Sequence, residues 1–334
     1  MRLVCADGEP QYRRRLGEDQ LARLEAEGHE LVWFDGAPHA LEGWSERVRG
    51  AEGLLLVWRL PRGVLTANGT LRVVSFVGTG VETYVDLEEA RAAGVTVCNV
   101  PRSGANANAV AEHALALTLA VARRVPECDR AARSGSWAQT EGLELRGRRL
   151  GVVGAGPIGI RMIELGKALG MSVVCWTRRR SPERERELGA PLVELEQLFA
   201  SSDVVSLHLA PRPETERIID RHLLNLLRPH AILVNTARGS LLDEDALAEL
   251  LDAGAIGGAG LDVLAAEPPP ADYPLLFSPR VVLTPHVGFY TAEASTELLR
   301  TAVENLLAFG RGSPQNVRSS RRRDCLDLDE APRG

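Results

Sequence analysis

The chain has 334 residues, 45% apolar and 25% charged, a balance that suits about two globular domains and excludes a disordered or fibrous protein. A net charge of -6 provides no overall positive field for a polyanion, so nucleic acid is not an expected partner. Cys5, Cys98, Cys128, Cys175 and Cys325 are odd in number and scattered, without the close pairs of a zinc site or a disulfide framework. They read as reduced thiols, and no metal is expected. No apolar run approaches the ~20 residues that span a bilayer. The opening MRLVCADGEP puts charges where a secretory leader needs an apolar stretch, so the expected location is the cytoplasm, away from membranes.

In chain order, the runs Leu3 to Cys5, Leu31 to Phe34, Leu54 to Trp58, Val73 to Val77 and Val95 to Val97 read as strands separated by helical patterns. That alternation predicts βαβ units around a parallel sheet. An Ala/Leu-rich helix from Asn106 to Arg124 follows as a connector. A second series then runs through Arg149 to Val153, Ser172 to Trp176, Val204 to His208, Ala231 to Asn235, Gly258 to Asp262 and Val281 to Thr284. Six strands with intervening helices make a complete doubly wound domain. Helical periodicity returns from Thr291 to Phe309 and is closed by Gly310, Gly312 and Pro314. Beyond Ser313 the tail has too little apolar content to fold alone and is expected to be disordered.

The strand ending at Val153 runs into Gly154-Ala155-Gly156-Pro157-Ile158-Gly159 and then the helical stretch Arg161 to Leu169. Between strand and helix, such glycines permit a tight turn and let backbone N–H groups approach a pyrophosphate at the helix start. The same pattern occurs in glycine turns that bind nothing. About 20 residues on, where a carboxylate usually meets the adenosine ribose, stand Thr177 and then Arg178, Arg179 and Arg180. No acid repels a ribose 2′-phosphate there, and guanidinium groups are at hand to fork onto one. NADP is therefore favoured, with NAD as the alternative should the run be only a solvated loop.

Three polar residues follow strands of the second series: Arg238 in VNTARGS, Glu267 in LDVLAAEPP and His286 in LTPHVGF. Alone, each has a structural reading, as a strand-end cap, a turn residue and a loop histidine. In this order beside a dinucleotide loop they compose a reaction centre. Transfer of a cofactor hydride to a carbonyl carbon requires a proton donor at the carbonyl oxygen, a part for His286. Glu267 would favour its imidazolium form and orient the ring, while Arg238 could fork onto an anionic substrate group and polarise the carbonyl.

With VGTGVETYVDLEEARAAGVTVCNVP and AVAEHALALTLA upstream, these motifs make the sequence resemble the D-isomer-specific 2-hydroxyacid dehydrogenase family, from about Val77 to Thr291. The resemblance implies an α/β protein of two lobes, Rossmann-like and flavodoxin-like, each a parallel sheet flanked by helices, with a cleft between them. Residues 1–100 and 290–315 would form the substrate domain and 101–289 the NAD(P)-binding domain, with 316–334 a disordered tail. It further implies that Asp262 receives the nicotinamide carboxamide, that Thr236 and Ala237 lie against the ring, and that His208 and Thr215 are cofactor-side loop positions. Amides of Gly78-Thr79-Gly80 would supply a second grip on the substrate carboxylate. A homodimer is implied, with the Asn106 to Arg124 region as contact.

The sequence also departs from that pattern. GTGVETYVDL carries one residue more than the commonest form of the substrate loop, and Phe289 and Tyr290 follow His286 where small residues are usual. Arg59 after GLLLVW and Arg102 after NVP are candidates to recognise a second anionic group on the substrate. Among competing functions, formate oxidation is disfavoured because that branch carries Gln in place of Glu267. Phosphite oxidation stays open, as does a nucleotide-sensing scaffold resembling the family's co-repressors.

Overall fold

The computed structural model describes residues 1–101 and 106–319. The chain divides into two units, Met1–Ala105 with Thr291–Gly334, and Asn106–Tyr290, exchanging slightly later than the expected 100/101 and 289/290.

In the first unit the apolar runs form β1 (Arg2–Gly8), β2 (Glu30–Asp35), β3 (Gly53–Leu56), β4 (Val73–Phe76) and β5 (Thr96–Cys98). They pair in parallel in the order β2-β1-β3-β4-β5, the flavodoxin-like arrangement. β3 and β4 are buried throughout and apolar but for Gly53 and Ser75, as expected of parallel strands covered on both faces.

The second unit contains β6 (Arg149–Val153), β7 (Ser172–Trp176), β8 (Val204–Leu207), β9 (Ile232–Asn235), β10 (Gly258–Leu261) and β11 (Val281–Leu283). All six pair in parallel in the order β7-β6-β8-β9-β10-β11. Outside β7 the chain makes one more parallel bridge, Leu192 to Cys175, a remnant of a third outer strand. With it the sheet has the dinucleotide-fold order 3-2-1-4-5-6.

One expectation needs correction. Residues 316–319, assigned to a disordered tail, are ordered. Val317–Ser319 forms β12, antiparallel to β5. Asn316 Nδ2 donates to Asn305 Oδ1 at 2.8 Å, and Asn305 Nδ2 to Asn99 O at 3.0 Å. Edge pairing draws on backbone groups and a few amides, so low apolar content did not forbid it. Residues 320–334 lie outside the described residues. The Ala-rich helix, Ala107–Ala122, opens the second unit and packs on its sheet, burying Ala111, Ala114 and Leu117. A Cβ on Gly260 of β10 would meet Leu117 Cβ at 2.9 Å, so glycine there sets how closely the helix approaches.

Candidate active site

The register of the second sheet places Trp176, Val153, Leu207, Asn235, Leu261 and Leu283 side by side from β7 to β11. One residue further along each strand path stand Thr177, Gly154, His208, Thr236, Asp262 and Thr284. Five of those six are residues the sequence singled out; a row of strand ends at the carboxyl edge of a parallel sheet is where such folds bind ligands.

At Gly154 φ is +106°, and a Cβ there would lie 2.6 Å from His208 O. A Cβ on Gly159 would collide with Gly154 O. Gly156 differs: it is exposed, a Cβ would meet nothing within 4 Å, and it starts the helix Pro157–Ala168 without a side-chain cap. The first glycine makes the turn, the third lets helix meet strand, and the middle one leaves room outside for a ligand at uncapped N–H groups. Arg184 Nη2 braces the loop by donating to Ala155 O at 2.6 Å. Of the arginine run, Arg180 is paired with Glu194 at 2.5 Å. Arg178 and Arg179 are exposed and ion-pair with nothing among the described residues.

His208 is 9% exposed, its Nε2 lies 2.8 Å from Ser206 Oγ, and its buried Nδ1 has no partner among the described residues. Burial lowers its pKa to about 4, so the ring is neutral at neutral pH. Thr236 Oγ1 is likewise buried and unpartnered among the described residues. Buried polar atoms without partners on a strand-end row suit an edge that a polar ligand completes. Thr215, by contrast, spends its hydroxyl inside its loop, accepting from Arg212 N at 2.8 Å and donating to Ala210 O at 3.0 Å.

Beyond β9, Asn235 folds the chain back: its Nδ2 donates to Arg238 O at 2.9 Å and its Oδ1 accepts Ala237 N at 3.0 Å. This turn holds Arg238, whose Nη1 donates to Ala237 O at 2.7 Å. Beyond β10, Glu267 Oε1 accepts Leu264 N at 3.1 Å and Oε2 accepts His286 Nδ1 at 2.8 Å. Burial pushes the Glu267 carboxyl up, but the His286 bond and charge, the Leu264 amide and the Arg238 charge outweigh it, and its pKa is lowered. The carboxylate is therefore ionised, His286 Nδ1 is the donor, and Nε2 is left for a ligand. The loop carrying Glu267 is anchored by Glu244, which accepts Ala265 N at 2.9 Å and the Tyr273 hydroxyl.

His286 has a left-handed backbone, φ +55°, uncommon for a residue with a side chain. Its N–H donates to Asp262 O at 2.8 Å. The Asp262 carboxylate, 2% exposed, accepts Val287 N at 2.9 Å, Gly288 N at 2.8 Å and Thr284 Oγ1 at 2.6 Å. Burial raises the Asp262 pKa; His113, Thr284 and the two amides more than reverse that, and the net shift is downward. Phe289 stands edge-on to the His286 ring with centroids 6.1 Å apart. Sequence reasoning missed Thr284, Arg184, Glu244 and the part of His113, which stands within AVAEHALALTLA. Helical spacing placed His113 with buried Val110, Ala114 and Leu117, and a titratable side chain on a core-facing stripe was the available signal.

In the first unit, Gly78, Thr79 and Gly80 follow β4. Val100 N donates to Gly78 O at 2.9 Å and Asn99 Nδ2 to Thr79 O at 2.8 Å, fixing the loop by its carbonyls. Its three amides donate to nothing among the described residues. Arg59 is exposed and unpaired among the described residues, and Arg102 lies outside them.

Residues 115–288 match the family model for D-isomer specific 2-hydroxyacid dehydrogenase, NAD binding domain. A glyoxylate reductase of Aeropyrum pernix is 39% identical over 298 residues, covering 86% of this chain and 88% of that relative. The TT0316 protein of Thermus thermophilus superposes with a TM-score of 0.83 at 38% identity, over 95% of this chain and 100% of that one. An acyclic imino acid reductase (Bsp5), solved with NADPH and D-Arg, superposes at 0.80 with 28% identity, over 95% and 99% of the two chains. The chain belongs to the D-isomer specific 2-hydroxyacid dehydrogenase family. It is an oxidoreductase of 2-hydroxy acids that uses a nicotinamide cofactor. Among the described residues no helix is long and apolar enough to cross a membrane.

Proposed function

We propose that this chain reduces a small 2-keto acid such as glyoxylate to its 2-hydroxy acid, with NADPH preferred. The observation that carries the reading is the bond of 2.8 Å from His286 Nδ1 to an ionised Glu267. It fixes the ring through Nδ1 and leaves Nε2 to deliver a proton to the carbonyl oxygen. Arg238, whose charge reaches Glu267, holds the substrate carboxylate and draws density from the carbonyl. The free amides of Gly78, Thr79 and Gly80 suit a carboxylate, and Arg59 and Arg102 a second anionic group where the substrate carries one.

The second unit fits a dinucleotide. Gly156, Ile158 and Gly159 offer uncapped N–H groups to a pyrophosphate, with Pro157, which has no N–H, starting the helix between them, and unpaired Arg178 and Arg179 beside Thr177 suit a ribose 2′-phosphate. The unpartnered atoms of His208 and Thr236 fit polar groups of the nicotinamide half, next to Ala237 and Asp262. Thr215 serves by shaping its loop. When bound, the cofactor supplies the hydride taken up by the carbonyl carbon. Leu119, 40% exposed on the helix Ala107–Ala122, and Val125, 52% exposed, suit this region to the contact of a homodimer.

Loss of nicotinamide absorbance with glyoxylate, pyruvate and hydroxypyruvate, each assayed with NADPH and NADH, tests the reading. Turnover with at least one of them, faster with NADPH, is expected. Nucleotide binding with no turnover of any keto acid would replace it with a sensing scaffold.

A further inference from the structure

Where the helix Ala107–Ala122 meets the carboxyl edge of β10 and β11, it brings His113, which has no part in the site so far, against Asp262 and Thr284. His113 Nε2 lies 2.9 Å from Thr284 Oγ1 and 3.3 Å from Asp262 Oδ1. Asp262 is ionised and only accepts, so the hydroxyl of Thr284, 2.6 Å from Oδ1, donates to it. The lone pairs of Thr284 therefore face His113, which fixes the tautomer: Nε2 carries a proton and donates. Helix and loop also touch here, for a Cβ on Gly288 would lie 3.3 Å from His113 Cδ2.

We infer that His113 is a positioning residue for His286, acting through Thr284 and Asp262. The Asp262 carboxylate alone gathers Val287 N and Gly288 N, and its backbone carbonyl gathers His286 N. These three consecutive amides are what keep His286 in its left-handed conformation, and a residue so placed returns to ordinary geometry when its restraints go. The donors around a buried carboxylate hold it in one direction together, so removing one loosens the others. His113 engages the Thr284–Asp262 pair from a rigid helix, coupling the orientation of the reactive imidazole to an element that contributes nothing else to the reaction. This inference rests on the reading of His286 as proton donor.

The test compares His113→Phe, which keeps a flat ring and removes the donor, with His113→Gln, whose amide N–H replaces it. With NADPH and a turned-over keto acid, His113→Phe should lower kcat on the order of ten- to a hundredfold, the scale of a small misplacement of a reacting group. KM for the keto acid should change little, and His113→Gln should restore most of kcat. In the protein without cofactor, the ring signals of His286 and the amide signals of Val287 and Gly288 should shift in His113→Phe and return in His113→Gln. Equal losses in both variants would reduce His113 to packing, and wild-type turnover in both would leave it without a part; either overturns the inference. Should His113→Phe fail to fold, Thr284→Val reads the same relay, and wild-type kcat with unmoved His286 signals there overturns it. His286→Asn, measured alongside, separates the two levels: if it keeps full turnover, the proton-donor reading falls whatever His113 does.

Discussion

The two units solve the same topological problem with opposite chemistry. Each sheet reverses its strand order beside its first strand, between β1 and β3 in one and between β6 and β8 in the other. Such a reversal opens a crevice at the carboxyl ends. In the second unit the first strand runs into Gly154 and Gly156, and the helix behind them begins uncapped. In the first unit it runs into Asp7, fully buried, whose carboxylate accepts Val57 N at 3.1 Å and Trp58 N at 2.7 Å from the end of β3. Glu9 takes Trp58 Nε1 at 2.9 Å, and the Trp33 ring fills the place a Cβ on Gly8 would need. One unit leaves uncapped N–H groups open at its reversal; the other closes its reversal with its own carboxylate. Fold alone therefore does not say where the nucleotide goes; the residues at the reversal do.

The sharpest way to break this comparison is at the glycines. Gly159→Val forces a side chain into Gly154 O and should abolish nucleotide binding, by about a hundredfold or more, with the flavodoxin-like unit unaffected. Gly156→Ala has free space, so its thermal midpoint should match the wild type while nucleotide affinity, read by calorimetry, drops about tenfold, ~1.4 kcal/mol. A parallel loss of stability would instead make Gly156 an ordinary turn residue. A smaller effect is expected for the double variant Arg178→Ala, Arg179→Ala: KM for NADPH rises several-fold, as exposed charge contacts allow, and KM for NADH stays put. Equal changes for both cofactors would assign the pair to the solvent.

The smallest effect is a difference in pH dependence. Burial, only partly offset by the Val57 and Trp58 amides, raises the Asp7 pKa to about 6. The unfolded carboxyl releases its proton first, so the Asp7 contribution is complete below about pH 4 and is lost as pH rises to about 6. His208 behaves in reverse. With its folded pKa lowered to about 4, the unfolded ring takes up a proton first, and stability is lost as pH falls from about 6.5 to about 4. Each is worth at most about 3 kcal/mol. Denaturant unfolding between pH 4 and 6.5 should show Asp7→Asn and His208→Gln changing the slope with opposite signs; the same sign for both would show that one burial is misassigned.

Much of this was legible in the sequence because its signals are local. Apolar runs and turn glycines gave both sheets, and motifs at strand ends gave Arg238, Glu267 and His286. Legibility failed where partners come from distant segments: Thr284 and His113 stand 171 positions apart, and Asp7 meets Val57 and Trp58 across 50 and 51. It failed also where backbone alone decides, as in β12 and the single bridge at Leu192, which no side-chain pattern announces. The row from Thr177 to Thr284 shows the other side of this: scattered residues came to one sheet edge only because the register aligned them.

Backbone amide spectra recorded during addition of NADPH test this account most directly. Saturable changes at Gly154, Gly156, His208, Thr236 and Asp262, with Gly8, Val57 and Trp58 unmoved, are the expected result. Saturable changes centred on Gly8, Val57 and Trp58, with the glycine loop silent, would contradict it.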